Sequence, residues 1–502
     1  MKLKHITGWI LAGWCAAAQA GALIDFDLDG RADPGVNLAT TAVWSVTWST
    51  SGGTSNTQWG WREARPVIGD FTGDGRTDVA IYHRFTSNWY IRNSSGGGLE
   101  VRSLGLHDAR AIPSDFDGDG TTDLAVYQWQ TGIWLIRRSS DQGLVQTQFG
   151  FPDGRPIPGD FDGDGTSDLA IFHRKTATWY LLRSSAGFAQ IQFGWSETRP
   201  VVADFDGDGA DDLAVYHQAT GNWYVRRSSD LQVIVQNWGW AEAQAVADDY
   251  DGDGKADFAV YHRRTGTWYI RQSANGQLRQ FVLGGPNFCP LPAYRDGALA
   301  GNYVLSFGDS ITYGMGSSKN GPRTGYPILV EAVAEPLFGG HYLSINEGKS
   351  GESTSSGRNR IKTVLQKYDP DVSLLMEGVN DTFYNQSNSS IANNLKSMID
   401  SCRSDSSAVI LSTLTPVIKS AYRDRSAQEK RIESFNPNVP GIAGSRNIAW
   451  VDNWRAITDR PNWAATLIEP STANHPNDDG YAVMREVWLR ALLEGKLSGR
   501  YY

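Results

Sequence analysis

The stretch DFDGDGTSD, residues 160–168, sets four aspartates (Asp160, Asp162, Asp164, Asp168) around two glycines. Gly163 and Gly165 supply a sharp bend, and the carboxylates fall at positions 1, 3, 5 and 9 of the loop. Carboxylates crowded around one turn repel, each close pair by roughly 1 kcal/mol in water and about 4 kcal/mol at an effective dielectric of twenty. A divalent cation relieves that repulsion, and hard oxygen ligands favour Ca2+ over softer metals. The loop is not an EF-hand, because its twelfth position is Ile171 and a β-rich run follows. The bland alternative is a solvated turn that uses Asp and Gly only for shape.

The same loop recurs five more times, with starts at Asp25, Asp70, Asp115, Asp204 and Asp249, so that the period is 44 or 45 residues. Its acidic positions are Asp25, Asp27, Asp29 and Asp33; Asp70, Asp74 and Asp78; Asp115, Asp117, Asp119 and Asp123; Asp204, Asp206, Asp208 and Asp212; and Asp249, Asp251, Asp253 and Asp257. Thr72 stands at the third position of the second loop, which predicts its weakest cation site. A tryptophan follows each first aspartate by 19 residues (Trp44, Trp89, Trp134, Trp179, Trp223, Trp268) and a glycine by 34 or 35. Between these markers lie short β-rich runs such as LAVYH and TWYIRQS. Three or four strands per repeat without helical period predict one propeller blade each, six in all over 21–285, with room for a degenerate seventh around YRDGALAG (294–301). A residue fixed in every blade is more often core than ligand, so the six tryptophans are read as packing, with sugar stacking as the alternative.

This half resembles the FG-GAP/VCBS repeats. The resemblance implies a calcium-binding β-propeller of the integrin type, acting as a scaffold or in adhesion or sugar binding.

The first twenty residues, MKLKHITGWILAGWCAAAQA, have a basic start, a short apolar middle and a small-x-small end, the pattern of a cleaved export signal. Lipidation at Cys15 is the poorer reading because bulky Trp14 precedes it, and no later run is apolar enough for a membrane helix. An extracellular or periplasmic location follows as an expectation. Losing Lys2 and Lys4 takes the formal charge from −9 to −11, which argues against a nucleic-acid partner and for metal cations. Of the remaining cysteines, Cys289 and Cys402 are free to pair in an oxidising compartment, yet Cys402 also falls at helical spacing with Ile391, Leu395, Met398 and Ile399. Both readings stand.

After a Gly- and Pro-rich linker (286–302) the pattern changes. Apolar runs VLSF, VSLLM, AVILSTL and IAWVD alternate with helical stretches over 303–502, which predicts an α/β domain on a parallel sheet. In such sheets ligands sit beyond the carboxyl ends of the strands. Ser310 in SFGDSITYG, Gly351 in INEGKSGEST, Asn380 in MEGVND and His475 in ANHPNDDGY all fall near predicted strand ends or helix starts. The other histidine here, His341, precedes a strand and is read as structural.

These four motifs, in order, resemble the GDSL/SGNH hydrolases, serine esterases and lipases with a flavodoxin-like three-layer α/β fold. The resemblance implies Ser310 as nucleophile, His475 as general base, and an oxyanion hole from the N–H groups of Ser310 and Gly351 and the side chain of Asn380. It also exposes a departure. The family places an aspartate three residues before the histidine, and here that position is Thr472. Glu469 is a displaced acid if the loop bulges, a neutral acceptor could orient a Ser-His dyad, or the domain is degenerate. Asp309 is read as a cap beside the nucleophile.

The expectation is a secreted carboxylic ester hydrolase with no catalytic cofactor, acting on acyl esters, acetyl groups on polysaccharide above all, with a calcium-binding propeller as platform. Two alternatives remain: a surface or matrix adhesion or carbohydrate-binding protein with an inert hydrolase-like domain, and a lipase or phospholipase.

Overall fold

The computed structural model describes residues 24–497 except 39–40, 62–63, 84–85, 97, 106–108, 130, 152–153, 242, 263, 286–287, 293–301, 319–320, 322–324, 338–341, 369 and 406. The stretch expected to be an export signal, the stretch proposed for a seventh blade and His341 lie outside the described residues.

Residues 24–291 form six four-stranded antiparallel sheets, the blades of a propeller. One recurring hydrogen bond joins them. The N–H of loop position 8 in each repeat donates to the carbonyl of loop position 1 in the preceding one, as from Thr77 to Asp25 (2.8 Å) and from Ser167 to Asp115 (2.7 Å). The bond from Ala32 to Asp249 (2.7 Å) joins the first repeat to the sixth and closes the ring. A blade is not one repeat in phase. Its innermost strand precedes the acidic loop, as Arg65–Gly69 precedes Asp70, so the first blade lacks a strand of its own. Phe288–Pro290 supplies it by pairing with Gly35–Leu38. The expected linker 286–302 is thereby corrected: part of it is propeller, because an unpaired inner edge would leave backbone donors and acceptors unsatisfied.

The spacing of tryptophan and glycine has a packing cause. All six tryptophans are buried core residues. The indole N–H of Trp89 donates to Leu104 O (2.9 Å) and that of Trp134 to Phe149 O (2.6 Å), and the repeat glycine follows each acceptor. A Cβ at Gly150 or Gly239 would stand 2.3 Å from the hydroxyl of Tyr127 or Tyr216, and both glycines have φ near +140°. Only glycine fits there.

The second domain is a five-stranded parallel sheet, β1 Asn302–Gly308, β2 Tyr342–Gly348, β3 Val372–Met376, β4 Ala408–Ser412 and β5 Ala449–Val451, in the order β2-β1-β3-β4-β5. Helices including Tyr326–Leu337, Thr354–Tyr368, Asn388–Ser404 and Asp478–Leu497 flank it. Every β3 residue is buried, as a sheet covered on both faces requires. Cys402 lies in this domain's core and Cys289 in the first blade, and no disulfide joins them, so the disulfide reading is overturned. Among the described residues no helix is long and apolar enough to cross a membrane.

The two halves meet at the amino-terminal edge of the parallel sheet. Asp371, directly before β3, pairs with Arg155 (3.4 Å) and Arg174 of the propeller, and Asp405, before β4, with Lys175 (3.8 Å). Tyr368 meets Trp129 edge-on at 5.9 Å between ring centroids. Propeller residues Tyr127, Trp134 and Ile171 belong to the same buried apolar cluster as the hydrolase core.

Candidate active site

Strand register places the site. Gly308 at the end of β1 sits level with Gly348 of β2 and Met376 of β3, so the chain leaves three adjacent strands at one height. The next residues carry Ser310, Gly351 and Asn380. A Cβ at Gly308 would stand 2.1 Å from Met376 O, and one at Gly348 2.1 Å from Tyr313 N. Bare backbone lets the turn after β1 nest between its neighbours.

Ser310 begins a one-turn helix, Ser310–Tyr313, whose N-cap is Asp309; the Asp309 carboxylate accepts from the Ile311 N–H at 3.0 Å. That is the capping role expected for Asp309. The Asn380 side chain donates one N–H to Glu352 O (2.8 Å), which sets it against the peptide following Gly351. Its second N–H remains for a ligand. Gly351 itself has φ +78° and no side chain to screen its N–H.

His475 comes from the loop before helix Asp478–Leu497. Glu469 N–H donates to His475 O (2.9 Å), Ile418 N–H to Ala473 O (2.8 Å), and Gly316 presses its Cα against the histidine, where a Cβ would be 2.6 Å from His475 Cβ. These ties bring His475 Nε2 to 2.8 Å from Ser310 Oγ, across 165 residues of chain. The residues expected as nucleophile and base are therefore in hydrogen-bonding contact.

Behind the ring the expected acid is absent. Glu469 Oε1 accepts from the N–H (3.2 Å) and hydroxyl (2.9 Å) of Ser471, and the displaced-acid reading is overturned. Thr472 Oγ1 donates to Glu469 O (3.2 Å), so it does not orient the ring either. His475 Nδ1 is buried and has no hydrogen-bond partner among the described residues. Burial first, then the charges of Arg425 and Arg423, hold the imidazole down at about pKa 4. The geometry is a neutral Ser-His dyad.

Sequence reasoning missed Arg425. Its Nε donates to Thr472 O (3.0 Å) and its Nη1 to Gln428 Oε1 (2.9 Å), while Gln428 Nε2 donates to Val379 O (2.9 Å) beside Asn380. It thus ties the histidine loop to the oxyanion loop. The signal was present in YRDRS, which follows the apolar run of β4 and so leads away from the sheet's carboxyl edge. Also missed was a buried acidic floor. Glu377 has both carboxylate oxygens unpartnered and its pKa pushed well up, by burial and then by Asp309 and Glu352. Asp309 is raised to about 7, mainly by burial.

In the propeller, carboxylate oxygens of positions 1, 3 and 9 converge within 4.8 Å in four loops: Asp115, Asp117 and Asp123; Asp160, Asp162 and Asp168; Asp204, Asp206 and Asp212; Asp249, Asp251 and Asp257. In the first loop the converging set is Asp25, Asp27 and Asp29, while Asp33 accepts from Phe26 and Ser49 N–H groups. Position 3 leaves one buried oxygen unpartnered in Asp117, Asp162, Asp206 and Asp251, which fits a hard cation. Position 5 turns elsewhere. Asp119, Asp164, Asp208 and Asp253 accept from the serine hydroxyl twenty residues on and stand outside these clusters, as does Asp74. In the second loop Thr72 Oγ1 donates to Asp78 Oδ2 (3.1 Å), filling with a hydroxyl the place of a ligand, and Asp70 serves as acceptor for the loop's own N–H groups.

A strand-turn-helix serine in contact with a histidine, facing amide donors at the carboxyl edge of a parallel sheet, defines a serine hydrolase. Residues 306–483 match the family model of the GDSL-like Lipase/Acylhydrolase family, and 160–215 that of the FG-GAP-like repeat. The chain thus carries a GDSL-like lipase/acylhydrolase domain behind an FG-GAP-type six-bladed propeller, and it is a carboxylic ester hydrolase. Similar solved structures include a lipase/acylhydrolase from Enterococcus faecalis, 24% identical, spanning 39% of this chain and 96% of that one at a TM-score of 0.34. Another is a GDSL-like lipase from Bacteroides thetaiotaomicron, 19% identical, spanning 39% and 89% at 0.32. A catalytic mutant of an acetylxylan esterase from Geobacillus stearothermophilus is 19% identical over 38% and 94% at 0.34. No curated protein matches the chain.

Proposed function

We propose that this is an exported serine esterase that removes acyl groups, acetyl above all, from polysaccharide, carried on a calcium-braced propeller. The observation that carries the esterase reading is the 2.8 Å contact between Ser310 Oγ and His475 Nε2. Ser310 Oγ attacks the acyl carbonyl as His475 Nε2 takes its proton. The N–H groups of Ser310 and Gly351 and the free Asn380 N–H receive the oxyanion. His475 returns the proton to the departing alcohol, and water then releases the acyl group from Ser310 by the same route.

Support for a saccharide comes from exposed rings. Phe383, Tyr384 and Tyr422 are 49%, 63% and 74% exposed, the first two a turn beyond Asn380. On the propeller, Trp61 and Trp195 remain over a third exposed, held edge-on by Tyr90 and Tyr224. The residues 1–20 pattern supports export, and the unpartnered aspartate oxygens support Ca2+, which would be held by positions 1, 3 and 9 in four loops and by positions 1, 3 and 5 in the first, and would neutralise their mutual repulsion. Ser310→Ala tests the reading: release of 4-nitrophenol from 4-nitrophenyl acetate should fall by about 10³-fold or more. Equal slow rates in wild type and variant would instead support the adhesion reading, which the unpartnered His475 Nδ1 favours.

A further inference from the structure

The loop after β4 brings positive charge and aromatic surface to the same rim. Ser420 Oγ donates to Pro470 O (2.7 Å) and Ile418 N–H to Ala473 O, which pins residues 418–425 along the His475 loop. From this loop project Tyr422, Arg423 and Arg425. The Arg425 guanidinium lies over the Phe383 ring at 5.3 Å, so the cation stands against the face of an exposed aromatic next to the oxyanion loop. The charges of both arginines reach the His475 ring. Neither arginine forms an ion pair among the described residues. The nearby Asp424 carboxylate is taken by Lys419 at 3.0 Å and by the N–H and hydroxyl of Ser426. The rim is therefore net positive beside exposed rings, in an acidic protein.

We propose that this rim is a specificity subsite for a sugar acid: the rings of Phe383, Tyr384 and Tyr422 stack on the pyranose, and Arg423 and Arg425 receive its carboxylate. The substrate class is then an O-acylated polysaccharide containing uronate units. The chemistry is that of guanidinium for carboxylate and of aromatic faces for the apolar side of a sugar ring. A neutral acylated sugar would leave both cations unmatched. A carboxylate bound here also offsets the positive field on His475 and so strengthens the base during the proton transfer. This rests on the esterase reading, and Arg425, tied to Thr472 O, serves also as a positioning residue.

The experiment uses the full chain and two readouts. Initial rates are compared on O-acetylated oligogalacturonides and O-acetylated neutral xylo-oligosaccharides, with 4-nitrophenyl acetate as a reference free of sugar. The acidic substrate should be favoured in kcat/KM, and Arg423→Gln and Tyr422→Ala should each raise its KM, taken relative to that of 4-nitrophenyl acetate on the same variant, about fivefold. Equal kcat/KM on the two oligosaccharides, or an Arg423→Gln variant without effect on KM, overturns the subsite. The second readout is calorimetric binding of de-esterified oligogalacturonide to Ser310→Ala, which is independent of turnover. Binding that weakens with salt and with Arg423→Gln upholds the subsite even if wild type proves inactive on every ester; no binding to either form refutes it.

Discussion

Because burial and two arginines keep His475 neutral down to about pH 4, the base is in its working form across the whole neutral range. The acid limb of kcat/KM on 4-nitrophenyl acetate should therefore fall near pH 4, well below the ordinary histidine value of 6.5. A limb near 6.5 in the pH-rate profile would mean that a carboxylate reaches the ring after all. For the same reason Thr472→Ala and Glu469→Gln should each keep kcat within about threefold of wild type, since neither side chain touches the imidazole. Glu377 makes the opposite kind of statement. Its folded-state pKa lies above its unfolded value of 4.5, so the fold binds the extra proton and loses stability as pH rises through that window. Glu377→Gln should flatten the decline of the thermal midpoint as pH rises above 4.5 and raise the midpoint on the alkaline side by a few degrees, at about 2–4 °C per kcal/mol. An unchanged pH slope would show that Glu377 is ionised.

Elements set the distances on which that chemistry depends. The turn at Gly316, with φ +90°, is packed on His475 Cβ and Pro476 O. Gly316→Ala adds both backbone strain and a methyl that displaces the base, and kcat should drop on the order of tenfold or more in a fold that still melts cooperatively. At the other edge of the sheet, Asp371 joins two propeller arginines to the start of β3, and Arg155 keeps only 4% of its side chain exposed. Asp371→Asn removes the carboxylate charge that faces that guanidinium. The cost should lie at the lower end of the about 3–5 kcal/mol of a broken buried pair, because Arg174 remains 22% exposed. Differential calorimetry should resolve two transitions in this variant where wild type gives one merged transition.

Across the molecule, the docking edge and the reacting edge of the sheet are opposite ends of the same strands. The propeller grips the residues before β3 and β4, whereas Ser310 and Asn380 follow β1 and β3. The candidate site thus lies at the opposite end of the strands from the propeller contacts, in keeping with the propeller's proposed role as a pedestal rather than a wall of the pocket. Chelation should accordingly lower the propeller's thermal midpoint and leave the initial rate on 4-nitrophenyl acetate at 25 °C unchanged. A midpoint that does not move on adding a chelator would remove Ca2+ from the account, and an immediate loss of rate would remove the pedestal.

The period of the aspartate loop, the tryptophan and glycine spacing, and the four hydrolase motifs were all legible in the chain, because each is a local demand: a turn that needs glycine, an indole N–H that needs the carbonyl of the neighbouring strand end, a serine at a strand end. Loop phase was legible only in part, since which strand completes a blade depends on ring closure by Phe288–Pro290, more than two hundred residues from its partner. The fate of the two cysteines, the company of His475 and the charge at its rim were likewise decided in three dimensions. Spacing along a chain fixes what a segment requires of its surroundings, whereas only packing brings Arg425 to Thr472 and turns Glu469 towards Ser471, leaving the ring without an acid.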